Sequence, residues 1–386
     1  MQMGAGMDDA AERPIPNMEA AGPASAVEAG AILTIDLGAI RENYRRLKAR
    51  AGSAHCAGVV KADGYGLGAA AVAAALAAEG CTSFFVALLS EGIALRKALG
   101  RGPVIHVLNG LPPGSENEAV EAGLCAVINS AAQLEAWSEA GQQASRKLPA
   151  AIQVDSGMSR LGMPPAEVEE LSHTPDAFDG IAPTLVMSHL ACADEPAHPA
   201  NERQWLAFER LRKMLPEAPA SLANSSGIFL GPAFHFDLVR PGAALYGINP
   251  TPADPNPMLP VVRLQAKVVQ TRSVEKGAGV GYGHTYRAQD ALRLATISLG
   301  YADGWHRRAA SAAWFENARL PFVGRVSMDS IILDISALPP GRLGEGDLVE
   351  LLGPSQSVDD AAGHAGTIGY EILTSLGPRF HRRYIG

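Results

Sequence analysis

Four cysteines in 386 residues, Cys56, Cys81, Cys125 and Cys192, stand far apart and form no Cys-x-x-Cys pair. That spacing argues against a zinc ribbon or a dithiol redox motif, and no metal is expected. Scattered thiols of this kind fit a reduced, cytoplasmic protein. No apolar run reaches the ~18 residues that a spanning helix requires, so no membrane association is expected. The first thirty residues lack a basic segment followed by an apolar one, which argues against a secretory signal. Positive charge is also scarce: the formal net charge is -8 and no Lys/Arg-rich run stands out. A nucleic-acid binder would show a basic stripe, so none is expected as a partner. The charge-bearing run from Arg379 to Tyr384 reads as a solvated face or a final strand.

What is present is apolar residue, at 47% of the chain, enough for a large core. Residues 1–30 are rich in Ala, Gly, Pro and acidic side chains and read as a disordered or loosely attached tail. From 31 to about 250, short apolar runs alternate with helical periodicity. Strand candidates lie near 57–60, 84–87, 104–108, 125–128, 151–154, 184–187, 220–222 and 236–239. Helical stretches at 68–79, 89–99, 131–140 and 202–214 lie between some of them. About eight such repeats are the signature of a (β/α)8, or TIM, barrel. A doubly wound open sheet would also alternate. Over 251–386 the texture becomes strand-like, at 261–271, 292–298, 320–326, 331–335 and 348–352, with turn signals between. This is a second, mainly β domain, and the early strand at 32–35 is a candidate to join it.

The chemistry-bearing residues sit where such a barrel keeps its active site, at the C-terminal ends of the strands. Lys61 ends the first barrel strand, where burial lowers a lysine's pKa and frees its amine for Schiff-base chemistry. Alone, it reads as a lysine capping a strand at the rim. After the seventh strand comes Asn224-Ser225-Ser226-Gly227, and after the eighth comes Arg240-Pro241-Gly242-Ala243. Loops at these two places often bind phosphate. A phosphate site opposite a lysine suits pyridoxal phosphate.

The segment Val60-Lys61-Ala62-Asp63-Gly64-Tyr65-Gly66-Leu67-Gly68 resembles the cofactor-lysine motif of bacterial alanine racemases, which are fold-type III pyridoxal-phosphate enzymes. The run from Val154 to Met163 is similar to another family motif, as are Ser188-His189-Leu190, Ala193-Asp194-Glu195 and Arg240 to Gly247. Further matches are Gly281 to Tyr286, Gly300 to Trp305, Gly324 to Asp329 and Thr367 to Glu371. The similarity spans about 31 to the C-terminus, and the motifs occur in family order.

The resemblance implies an isomerase that interconverts L-alanine and D-alanine, with Lys61 attaching the cofactor and serving as one base. It implies that Tyr282, donated by the partner of a homodimer, is the opposing base, because racemisation needs proton transfer on two faces. His189 is implied as a cofactor-site residue and neighbour of that phenol, and Arg240 as the partner of the pyridine nitrogen. Ser225, Gly242, Ala243 and Tyr370 are implied at the phosphate, with Tyr65 helping. Arg160 is implied at the substrate carboxylate, a task suited to a guanidinium fork. Met328 and Tyr301, from the partner chain, would wall the pocket. One position departs from the family: many members have a carboxylated lysine where this chain has Gln153, which carries no charge. The product would serve peptidoglycan supply or alanine catabolism. Competing readings are a broad-specificity amino-acid racemase, a related barrel decarboxylase and a non-catalytic cofactor carrier.

Overall fold

The computed structural model describes residues 25–309 and 311–386. Eight parallel strand positions curl into a barrel. The first is split into His55–Cys56 and Gly58–Val59. Ser83–Val86, Val104–Val107, Cys125–Ile128, Leu148–Gln153, Ile181–Met187 and Ala220–Ser221 follow in order, each paired with the next. Leu238–Val239 then pairs with His55–Cys56, and the Asp237 amide donates to the Ala220 carbonyl at 3.0 Å. Those two contacts close the ring and rule out the doubly wound open sheet.

The strands are apolar on both faces, as parallel strands covered by helices must be. Successive side chains alternate between the faces. Ala57, Val59, Phe85, Cys125, Val127, Ala151, Leu185 and Met187 form one buried cluster inside the ring. Their neighbours Phe84, Val86, Ile105, Ala126, Ile128 and Ile152 belong to a second cluster beneath the helices. Helices Ala69–Ala78, Leu89–Leu99, Ala131–Gln143 and Ala200–Arg212 lie within a few residues of their expected places. Glu116–Glu121 and Pro165–His173 are additional, too short to show a full apolar stripe.

The second domain is built on one long strand, Val262–Val274. It pairs antiparallel with Ala31–Asp36 and Leu348–Leu352, and from Val268 onward with Leu292–Ile297, across a register shift between Val268 and Gln270. Ala31–Asp36 also pairs in parallel with the last strand, His381–Ile385. Of the expected loose tail, residues 1–24 lie outside the described residues. Residues 25–30 are tied down: Lys267 Nζ donates to the Ala26 and Val27 carbonyls at 2.7 Å each, and Ala29 is buried. The strand expected at 320–326 is instead Ala318–Pro321. Two helices, Val358–Ala365 and Gly369–Ser375, interrupt the β pattern. The first is held by a capping box in which the Asp360 amide donates to Ser357 Oγ at 3.0 Å and the Asp360 carboxylate accepts from the Ser357 amide at 2.9 Å.

The two units meet beside Lys61. Tyr384 Oη donates to the Leu67 carbonyl at 2.9 Å, and Arg382 donates to the Gly66 carbonyl at 2.5 Å. The last strand therefore holds the loop that follows the lysine. Among the described residues, no helix is long and apolar enough to cross a membrane and no group of His, Cys, Asp and Glu is placed to hold a metal ion.

Candidate functional site

A cavity of about 490 Å³ opens at the C-terminal ends of the barrel strands. Its wall includes Lys61, Tyr65, Arg160, His189, Ser225, Arg240, Gly242, Ala243 and Tyr370, nine of the twelve residues expected in a site. Lys61, Arg160 and Arg240 bring three cationic side chains to this wall, and no Asp or Glu lines it. Such a pocket attracts a ligand with more than one anionic group.

Lys61 stands at the start of an unusual turn. Ala62, Asp63, Gly64 and Tyr65 all have left-handed φ angles, between 52° and 62°. Each non-glycine residue there costs about 1–2 kcal/mol, so the turn persists only because its surroundings hold it. Ala62 donates its amide to Glu91 Oε1 at 2.7 Å. Asp63 Oδ1 accepts from the Ala69 amide at 2.8 Å, and the Gly68 amide donates to the Asp63 carbonyl at 2.8 Å. Burial lowers the pKa of Lys61, as does Arg160, while Glu91 opposes them. A lowered pKa raises the fraction of free amine, the nucleophilic form.

Tyr65 leaves this turn and packs over Tyr246, with ring centroids 4.6 Å apart. A Cβ on Gly242 would collide with the Tyr65 hydroxyl, so glycine lets the phenol approach the backbone. Ser225 Oγ accepts from the Gly242 amide at 3.0 Å and from the Ala244 amide at 3.2 Å. The two strand-end loops are thereby joined, and Tyr65, Ser225 and Gly242 form one polar end of the cavity. Burial raises the pKa of Tyr65 and of Tyr370, so both phenols stay protonated and can donate to an anion.

Arg240 is buried without a carboxylate partner. Its guanidinium donates to Ser221 Oγ and, at 2.5 Å, to the Ser188 carbonyl, and it lies 3.4 Å from His189 Nδ1. Burial lowers its pKa to about 9, which leaves it charged at neutral pH. Burial, then Arg240, Arg160 and Lys61, push His189 down to about 3, so its ring is neutral.

Arg160 rides on a loop between Val154 and Met163, which form a bridge. Asp155 Oδ1 organises that loop by accepting from the amides of Gly157 and Met158 at 2.9 Å and Ser159 at 3.1 Å. Gln153 is buried and lines the cavity with Arg160, so the wall carries an uncharged amide at the one position where the sequence departs from the family pattern.

Tyr282, Tyr301 and Met328 do not line this cavity. They lie on the second domain, exposed at 71%, 40% and 53%. Sequence reasoning missed three further residues. Tyr246 is buried, donates to the Val59 carbonyl at 3.0 Å and backs Tyr65. Asn109 lines the cavity just past the third strand, a position that strand counting alone could have flagged. Glu91 stands at the third position of the helix Leu89–Leu99, where a Glu signals a cap.

Comparison with known proteins bears on this arrangement. Residues 35–250 match the alanine racemase N-terminal domain, and residues 261–384 match the alanine racemase C-terminal domain. The chain is 80% identical to a catabolic alanine racemase of Mesorhizobium japonicum over 94% of this chain and 96% of that one. It is 51% identical to a catabolic alanine racemase of Agrobacterium fabrum over 92% of each. Among solved structures, an alanine racemase from Bartonella henselae with covalently bound pyridoxal phosphate has a TM-score of 0.89 and 43% identity, covering 92% of this chain and 100% of that one.

Proposed function

The chain belongs to the alanine racemase family, and from that membership we propose a two-base racemase whose opposing bases, Lys61 and Tyr282, come from different subunits of a homodimer. The enzyme is a pyridoxal-phosphate-dependent isomerase that interconverts L-alanine and D-alanine. The observation that carries the assignment of residues is the cavity itself, where two arginines, Arg160 and Arg240, and no carboxylate share the wall with a lysine at a strand end. Its residues fit the cofactor: Ser225, Gly242, Ala243, Tyr65 and Tyr370 would hold the phosphate, Arg240 the pyridine nitrogen, and Lys61 the aldehyde carbon. When bound, pyridoxal phosphate supplies an electron sink that acidifies the α-hydrogen of alanine.

The chain's own residues do the rest. Arg160 binds the substrate carboxylate. The Lys61 amine takes or returns the α-proton on one face, and the Tyr282 hydroxyl does so on the other. Arg240 stays protonated and would donate from its guanidinium to the ring nitrogen, where its charge would disfavour protonation. His189, neutral, accepts from Arg240 and keeps it aimed. Tyr282, Tyr301 and Met328, exposed on one chain, would enter the partner's cavity and leave room for little beyond a methyl side chain.

The names of the two relatives, each a catabolic alanine racemase, support a catabolic role for this chain rather than peptidoglycan supply. Deleting the gene should abolish growth on L-alanine as carbon source without creating a D-alanine requirement; a D-alanine requirement would reverse that assignment. For the chemistry, L-alanine is incubated in deuterated water while optical rotation and α-deuterium are followed. Lys61→Ala and Tyr282→Phe should each block racemisation. Full activity in either variant removes that residue from the reaction.

A further inference from the structure

Glu91 lies outside the cavity wall, yet its carboxylate reaches two strand ends of the barrel at once. Oε2 accepts from the Ala87 amide at 2.7 Å and from the Leu88 amide at 3.1 Å, at the end of the second barrel strand. Oε1 accepts from the Ala62 amide at 2.7 Å, one residue past Lys61 at the end of the first. The Ala87 and Leu88 bonds belong to ordinary capping of the helix Leu89–Leu99. The bond to Ala62 does not: it crosses 29 positions of sequence to a residue that is left-handed without being glycine.

We propose that Glu91 is a positioning residue for Lys61, its carboxylate clamping the left-handed turn that starts at Ala62 to the neighbouring strand end and so aiming the lysine amine into the cavity. The proposal rests on the reading of Lys61 as the cofactor lysine. Released from Glu91, Ala62 would relax toward the right-handed region, because only its surroundings hold it where it is. The Cα–Cβ direction of Lys61 would then turn away from the mouth of the barrel. The carboxylate also acts through space. Lys61 shares the cavity wall with the cation Arg160, which lowers its pKa, and with the neutral His189, and Glu91 is the acidic group whose field favours the protonated amine. A single side chain thus sets both where the amine points and how readily it holds a proton.

The test uses the full-length holoenzyme and two variants, Glu91→Ala and Glu91→Gln. Glutamine keeps one acceptor oxygen for Ala62 and loses the charge. Release of pyridoxal phosphate should be about tenfold faster in Glu91→Ala, the scale of one charge-assisted hydrogen bond, and within about threefold of wild type in Glu91→Gln. In both, the limb of the kcat pH profile governed by Lys61, which reports the substrate-bound enzyme in which the lysine amine is free, should move to lower pH by about half a unit to one unit. Normal cofactor release and an unmoved limb in a folded Glu91→Ala would reduce Glu91 to a helix cap. Should that variant fail to fold, an unmoved limb in Glu91→Gln overturns the proposal by itself. Borohydride reduction of wild-type holoenzyme and peptide mapping test the underlying reading separately: a cofactor trapped on a residue other than Lys61 sinks that reading, whatever the Glu91 variants do.

Discussion

The guanidinium of Arg240 and the imidazole of His189 meet at 3.4 Å, a cation against a ring that its surroundings hold neutral. Every acceptor on Arg240 is uncharged: Ser221 Oγ, the Ser188 and Leu222 carbonyls and His189 Nδ1. A buried cation with only neutral partners keeps its full field for a ligand. Lysine cannot reproduce the planar fork that reaches these acceptors. Arg240→Lys is expected to lower kcat about tenfold, the value of a charge-assisted hydrogen bond. It should also raise the fraction of alanine converted to pyruvate, each event leaving the amino group on the cofactor as pyridoxamine phosphate, because a ring nitrogen free to gain a proton makes a stronger electron sink. Counting pyruvate against D-alanine formed until the cofactor is consumed measures the partition, and an unchanged partition would mean that Arg240 does not control the ring nitrogen.

Gly242 and Tyr65 are expected to be coupled. A methyl group at position 242 would strike the Tyr65 hydroxyl and come within 3.3 Å of Val59 Cβ. Gly242→Ala should weaken cofactor binding at least tenfold, an overpacking penalty of roughly 1–3 kcal/mol. Adding Tyr65→Phe removes the struck oxygen and should recover part of that loss. Equilibrium titration with pyridoxal phosphate reads both, and strictly additive losses would show that the two residues do not interact.

The proposed sharing of the site between subunits makes a prediction about mixtures. Lys61→Ala and Tyr282→Phe dimers should each be inactive. After unfolding and refolding together, half the dimers are mixed, and one of their two sites carries both wild-type residues. Activity should therefore return to about a quarter of wild type, as twofold symmetry dictates. No recovery in a mixture proven to contain mixed dimers would place both bases on one chain.

His106 supplies a pH dependence. It is 4% exposed, stacks on Phe85 at 4.3 Å and is pushed down to about 3 by burial first and Arg240 second. The unfolded chain binds a proton here below about 6.5 and the folded protein does not until about 3, so stability falls as pH drops through that window. Between pH 7 and pH 5 the loss should be about 2 kcal/mol from this residue. Chemical denaturation of the cofactor-free protein at both pH values should show the loss, and His106→Leu should lack this share while keeping the one that His189, held neutral in the same way, contributes. An equal pH dependence in the variant would show that His106 is not the group responsible.

Much of this molecule is legible in the chain itself. Alternation of apolar runs and helical stretches places the barrel strands within a few residues, because parallel strands buried on both faces can be built from little else. The short helices Val358–Ala365 and Gly369–Ser375, of 8 and 7 residues, escape because two turns carry too little periodicity. Glu91 escapes for a different reason: as a cap it looks complete within its own helix, and its bond to Ala62 joins two strand ends that are neighbours only once the sheet has formed.

The order of residue types along the chain determined the fold class and the candidate chemistry, since strand-end positions and phosphate-loop residues are local features. Folding in three dimensions decided the charge balance of the cavity, the protonation of its groups and the strain beside Lys61. Those depend on distance and burial, and Coulomb and desolvation energies act between atoms that sequence separates by tens to hundreds of residues.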